Sequence, residues 1–264
     1  MTERADETIN ALRSGHEDLA TLLRGFTAAD LTRPSGAAKW DVSQVLSHLG
    51  SGAEINLASL DGALEGTGNP GGDFNQSVWA RWDAMSSQER AESFLTADEA
   101  LVRRYEGLDA ATRQNLRVDL GFLPVPLDVA GVAGLRLNEV AHHIWDIKVA
   151  FDPTATLAPE ATPLLFDQAA MLMGFLGKAH ELDGEPVSIA VNTTSPVRSF
   201  GLAIGETVSL AEAPGDPDAT LEAPAEFWLR LLTGRHAPEH TPATVTLTGG
   251  TVTLDDLRRV FPGF

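Results

Sequence analysis

The segment LRLNEVAHHIWDIKVAF, residues 135–151, restricts the fold more than any other part of this chain. Its apolar residues Leu137, Val140, Ile144, Ile147 and Phe151 recur at helical spacing and require an interior to face. On the same helix Arg136, Glu139, His143 and Asp146 stand three, four and three residues apart, which places them on one common face. That spacing ordinarily carries the apolar seam of a helical bundle, and a polar seam there is costly unless something pairs with it. The rest of the chain must supply both a cover for the apolar stripe and partners for the polar one.

Candidate cover is legible upstream. Residues 4–25 place Ile9, Leu12, Leu19, Leu22 and Leu23 at helical spacings, a stripe that needs a partner helix. A second helix begins at Trp40-Asp41, with Asp41 as N-cap and Gln44 at the capping-box position, and runs through Val45, Leu46 and Leu49 to about Leu64. The run GTGNPGGDFN, residues 66–75, reads as a loop, followed by a short helical piece at 75–84. A third helix is predicted over 87–107 with Phe94, Leu101, Val102 and Tyr105 inward, and the fourth over 127–151, stopped by Asp152-Pro153. Four helices with long connections predict a bundle, assigned to residues 1–155.

Past the linker-like PTATLAPEATP the pattern changes. A helix at 163–178 precedes short β-like runs at 186–192, 198–203, 206–210 and 218–222. A helix at 224–232, a strand at 243–248, a Gly-Gly turn and a closing helix at 254–261 complete a small α+β domain over 156–264. The predicted fold class is thus α plus α+β: a helical bundle, then a mixed domain.

The chemistry concentrates in the helices. Glu139 and His143, at i and i+4, can aim a carboxylate oxygen and an imidazole nitrogen at one point ~2 Å from each, the distance a zinc-like ion requires. His142, at i+3, suits the same purpose, so spacing leaves both histidines open. In WDVSQVLSHLG, His48 lies between Leu46 and Leu49 in a strongly apolar helix, where an uncompensated imidazole is costly; as a third ligand it is compensated. Two imidazoles and one carboxylate leave coordination positions open, the mark of a catalytic site, with zinc leading and nickel, iron and manganese behind it. Asp146 is placed to hold a ligand imidazole or to act as an acid/base, and Arg136 to neutralise a carboxylate.

Composition limits the partners. The chain has no cysteine, so it has no disulfide, no thiolate ligand and no cysteine nucleophile; thiol chemistry here must borrow its thiol. With 19 Lys and Arg against 37 Asp and Glu, the formal charge of -18 disfavours nucleic acid and anionic membranes as partners. MTERADETIN lacks the segments of a secretory signal and no run of ~18 apolar residues occurs, so a soluble cytoplasmic protein is expected, as a monomer or homodimer.

Trp40 followed by a helix carrying His48-Leu49, then Arg136-x-x-Glu139-x-x-x-His143-x-x-Asp146, resembles the mycothiol-dependent maleylpyruvate isomerase family. Phe227 to Arg235, FWLRLLTGR, resembles that family's C-terminal segment ending in Gly-Arg. The resemblance implies a DinB-like four-helix bundle followed by a sterol-carrier-like α+β domain, and it selects His143 over His142, giving the metal ligands His48, Glu139 and His143. It implies mycothiol, or a related small thiol, as cofactor, with Arg235 meeting substrate or thiol and Arg198 as a weaker candidate. The implied reaction is thiolate addition to a maleyl-type double bond, rotation and elimination, with Asp146 shuttling the proton and Arg235 and Arg136 holding carboxylates. Two other readings stand beside this isomerase: a mycothiol S-transferase on another electrophile, and a non-catalytic small-ligand-binding protein.

Overall fold

Capping chemistry sets the helix boundaries in the first part of the chain. The protein is described by a computed structural model covering residues 2–182, 186–250 and 252–263. It divides into two compact units, Met1–Phe151 and Asp152–Phe264. In the first, α1 spans Thr2–Leu23 and a short α2 spans Ala28–Leu31. Next, α3 spans Val42–Glu65; Asp41 accepts from the Gln44 backbone N–H at 2.8 Å while the Gln44 side chain accepts from that of Asp41 at 2.9 Å, the capping box expected from sequence. Helix α4, Gly72–Asp83, begins three residues earlier than its apolar pattern predicts. Then α5 spans Ser87–Glu106 under a Ser86/Glu89 capping box, and α6 spans Ala110–Asn115. Two brief antiparallel strands, β1 (Arg117–Val118) and β2 (Leu127–Asp128), lead into α7, Val129–Val149, where Asp128 caps Gly131.

The four long helices form a closed ring of contacts, with α3 against α5 and α7, and α1 against the same two. The stripes read from sequence fill its interior: Ile9, Leu12 and Leu19, Val45, Leu46 and Leu49, Phe94, Leu101 and Tyr105, Leu137 and Ile147 are all buried. Burying each such side chain contributes about 1.5–3 kcal/mol, so this apolar packing holds the helices together.

The second unit opens with α8, Thr162–Leu176, and carries a five-stranded sheet. Its strands are β3 (Val187–Thr194), β4 (Arg198–Ile204), β5 (Val208–Ala211), β6 (Ala219–Pro224) and β7 (Thr246–Thr248), in the order β5-β4-β3-β6-β7. All pairings are antiparallel except β3 with β6. Alternate β3 residues Ile189, Val191 and Thr193 point to the covered face, as period-two patterning requires. Helix α9, Ala225–Leu232, packs on α8, β3 and β6, and α10, Leu254–Val260, closes the chain. The helical bundle followed by an α+β unit is the fold class predicted from sequence. Among the described residues, no helix is long and apolar enough to cross a membrane.

After α9 the chain turns at Gly234, whose φ of 79° lies in the left-handed region, and a Cβ there meets the Gly263 Cα at 2.6 Å. Both conformation and space demand glycine. Gly234→Ala is expected to destabilise the protein by more than ~1 kcal/mol, read as a lowered denaturant midpoint at unchanged slope.

Candidate metal centre

The α7 seam divides into two halves with different neighbours. Its Glu139–His143 half meets His48 of α3. The His48 Nε2 lies 2.9 Å and the His143 Nε2 3.7 Å from the same Glu139 Oε2, and one ligand atom from each residue falls within 4.8 Å of the others. Donors around one ion at ~2 Å stand ~3 Å apart, so a small contraction of this group encloses a cation. The His48 and Glu139 side chains are half-exposed, which leaves the site an open side.

His143 is oriented from behind. Its Nδ1 lies 2.8 Å from the Asp146 carboxylate, which is fully buried. A proton on Nδ1 donated to Asp146 leaves Nε2 bare toward Glu139 and His48. His142 instead turns its Nδ1 to the Asn138 carbonyl of its own helix at 2.9 Å. The three residues brought together are therefore His48, Glu139 and His143.

Trp40 forms one wall, its ring centroid 5.1 Å from His48 and 5.9 Å from His143. The loop ahead of it is closed by Ser35 N–H to the Trp40 carbonyl at 3.0 Å and by Gly36 N–H to the Asp146 carbonyl at 2.7 Å. A Cβ on Gly36 meets Val149 at 2.7 Å and the Asp146 Cα at 3.1 Å, so only glycine lets this loop lie against α7.

Shielding from solvent favours the protonated form of Glu139. The His48 hydrogen bond and the charges of His143, His48 and Arg136 outweigh it and bring the carboxyl down to about 2. Glu139 is thus an anion ready to receive a cation.

The Arg136 half of the seam points into the bundle. Arg136, 3% exposed, donates from Nη2 to Asp98 Oδ1 at 2.7 Å and to the Leu49 carbonyl at 2.9 Å. Asp98, 2% exposed, also meets His16 Nδ1 at 2.9 Å. The carboxylate that Arg136 neutralises is therefore Asp98, and the guanidinium is committed inside the protein rather than presented to a ligand. Burial raises the Asp98 pKa, but the His16 hydrogen bond and the Arg136 charge hold it below 3.8. Sequence reasoning missed His16 and Asp98, although a signal was present. His16 lies in register with Ile9, Leu12 and Leu19, and Asp98 with Phe94, Leu101, Val102 and Tyr105.

Arg235 belongs to the second unit, directly after the Gly234 turn. Its backbone N–H donates to the Arg230 carbonyl at 2.8 Å, and its carbonyl accepts from Arg230 Nη1 at 3.0 Å. Arg230 is itself buried and bidentate on Glu226, at 2.7 and 2.9 Å. The backbone that carries Arg235 is consequently fixed from inside the unit. Arg198 is exposed at the start of β4.

Residues 12–148 match the family model described as the mycothiol maleylpyruvate isomerase N-terminal domain, a span that contains His48, Glu139, His143 and Asp146. Among solved structures, a crystal structure of a mycothiol-dependent maleylpyruvate isomerase is similar with a TM-score of 0.65 at 15% identity, covering 94% of this chain and 95% of that chain. A histidine-to-alanine mutant of a mycothiol-dependent maleylpyruvate isomerase is similar with a TM-score of 0.64 at the same identity and coverage. At this identity the likeness is one of fold. No curated protein matches the chain.

Replacing Asp98 with Ala leaves a buried guanidinium without its anion and is expected to cost about 3–5 kcal/mol in denaturant unfolding. Because the folded-state pKa of Asp98 is depressed, its contribution is present above the unfolded value near 4 and is lost as pH falls through the folded one. The stability gap between wild type and Asp98→Ala should therefore narrow on acidification below about pH 4. Asp146→Asn should weaken metal affinity ~10–100-fold, as loss of an orienting carboxylate does, measured by competition with a chromogenic chelator.

Proposed function

The chain belongs to the mycothiol maleylpyruvate isomerase N-terminal domain family, and on that premise we propose that it is a metal-dependent, mycothiol-using enzyme that isomerises a maleylpyruvate-type substrate from cis to trans. The observation that carries this reading is the convergence of His48, Glu139 and His143 on one half-exposed point of the helical unit. This donor set fits a divalent cation with open positions, with zinc leading and nickel, iron and manganese behind it. The bound cation supplies acidification of a thiol, which a chain without cysteine takes from outside.

The protein's own residues do the positioning. His48, Glu139 and His143 hold the cation, and Asp146 fixes the ring and tautomer of His143 through the 2.8 Å contact at Nδ1. Trp40 keeps water off one side of both histidines. Arg136 acts as a positioning residue through Asp98 and the carbonyl beside His48. Arg235 is assigned to a carboxylate of the substrate, which its planar fork can grip bidentately. The substrate's cis double bond becomes a single bond while a thiol is added across it, which frees rotation; loss of the same thiol restores the double bond as trans. Atoms and electrons balance without any oxidant.

Elemental analysis of protein never exposed to chelator is expected to find about one equivalent of divalent metal. His48→Ala should lose that metal and its turnover together, whereas a pure binding module would keep its ligand affinity. Incubation with mycothiol and maleylpyruvate should yield the trans isomer. Unchanged substrate would sink the isomerase assignment, and a stable conjugate with another electrophile would redirect it to S-transfer.

A further inference from the structure

The turn that follows α9 is held from two sides, and Arg230 accounts for one of them. Its guanidinium bonds the Arg235 and His240 carbonyls at 3.0 and 3.2 Å from within the unit. Against the other side lies the segment 258–263. A Cβ on Gly263 meets the Thr233 carbonyl at 2.9 Å, the counterpart of the close approach at Gly234, so the two backbones run in contact. Arg258 Nε donates to the His236 carbonyl at 2.8 Å and its Nη2 to Thr241 Oγ1 at 2.9 Å. The His236 ring completes the set, with Nε2 2.7 Å from the Phe261 carbonyl. Gly234 and His236 are thus both seated on this segment, while Arg235 between them bonds back toward α9, through its backbone N–H to Arg230 at 2.8 Å and through Nη1 to the Thr233 carbonyl at 3.3 Å.

Phe261 is a firm anchor for that ring. It is fully buried, its N–H donates to the Leu257 carbonyl at 3.0 Å, and its side chain meets Trp228 edge-on at 6.4 Å. A carbonyl only accepts, so His236 Nε2 carries the proton. Burial lowers the pKa of the ring, outweighing the bond to Phe261, and the charges of Arg258 and Arg230 act in the same direction as burial. A second proton, on Nδ1, is therefore disfavoured. A neutral ring whose one N–H is spent on Phe261 has neither charge nor proton to give a substrate. It is suited to holding its neighbour in place.

We infer that His236 is a positioning residue: its Nε2–H bond to Phe261 fixes the direction in which the turn presents the Arg235 guanidinium, and with it the grip of Arg235 on a substrate carboxylate. The direction of a side chain follows the backbone that bears it, and a bidentate fork tolerates little misplacement. With the His236 bond gone, Arg230 pulls on the turn with less to oppose it. The role of Arg235 toward a carboxylate rests on the function proposed above; the tie between the turn and the segment after α10 rests on the geometry.

The test uses the metal-loaded full chain with maleate as a cis-dicarboxylate probe and no thiol present, so that calorimetry reads binding without turnover. Arg235→Ala should weaken maleate binding at least ~10-fold. His236→Ala should weaken it by about as much, and His236→Gln, whose amide N–H reaches the same carbonyl, should recover most of that loss. In an Arg235→Ala background, His236→Ala should change the affinity no further while still lowering the denaturant midpoint. This background separates a residue that acts through Arg235 from one needed only for stability. Wild-type affinity in His236→Ala beside a weakened Arg235→Ala overturns the inference alone, as do additive losses in the double variant. Wild-type affinity in Arg235→Ala, or no binding by the wild type, removes the role of Arg235 and the inference with it. If His236→Ala does not fold, the wild-type ring decides: nitrogen NMR at neutral pH is expected to find it neutral and protonated at Nε2, and a proton on Nδ1 overturns the inference.

Discussion

The Arg136–Asp98 ion pair is the contact on which the geometry of the helical unit depends. Arg136 lies on α7, Asp98 on α5, the accepting Leu49 carbonyl on α3, and His16, the second partner of Asp98, on α1. One polar cluster therefore links all four long helices at a single level. Apolar packing supplies most of the stability but tolerates sliding, because dispersion and burial are nearly indifferent to register. A buried charge is not indifferent, since it must meet its partner within hydrogen-bond distance or carry the cost of desolvation uncompensated. In this protein the cluster sets register.

The candidate metal centre inherits that register. Leu49 follows His48 directly, and Glu139 lies one turn beyond Arg136, so the bond that ties α3 to α7 is adjacent in both helices to the residues that must converge. Ligand geometry needs an accuracy of about half an ångström, which loops rarely provide and helices locked by buried hydrogen bonds do. The Asp146–His143 contact and the Gly36 loop on the Asp146 carbonyl add a second tie on the opposite side of the ligands. The polar seam of α7 thus does two jobs along one face, with Arg136 directed inward to hold helices and Glu139 and His143 directed to an open side to hold a ligand.

The second unit follows the same pattern on a smaller scale. Arg230 is interior and saturated by Glu226 and by two backbone carbonyls, those of Arg235 and His240. Its role is to shape the turn that carries Arg235, and the glycine before Arg235 is there because no Cβ fits. The Gly-Arg ending legible in FWLRLLTGR is therefore the visible part of a buried support.

The four long helices of the bundle, the Asp41 cap and the order of a bundle before an α+β unit were determined by sequence alone, because periodicity and capping boxes are local: Asp41 and Gln44 report their own helix start whatever surrounds them. The ligand residue types were legible for the same reason, since Glu139 and His143 share a face at fixed spacing. Spacing left His142 and His143 both open and only the family resemblance chose between them; the contacts that turn His143 toward the site, which carboxylate Arg136 neutralises, and that His16 and Asp98 matter at all were decided by tertiary structure. Those facts depend on contacts between helices separated by up to 91 residues, as between His48 and Glu139. Local spacing can announce that a polar side chain on an apolar face needs a partner, but only packing in three dimensions names it.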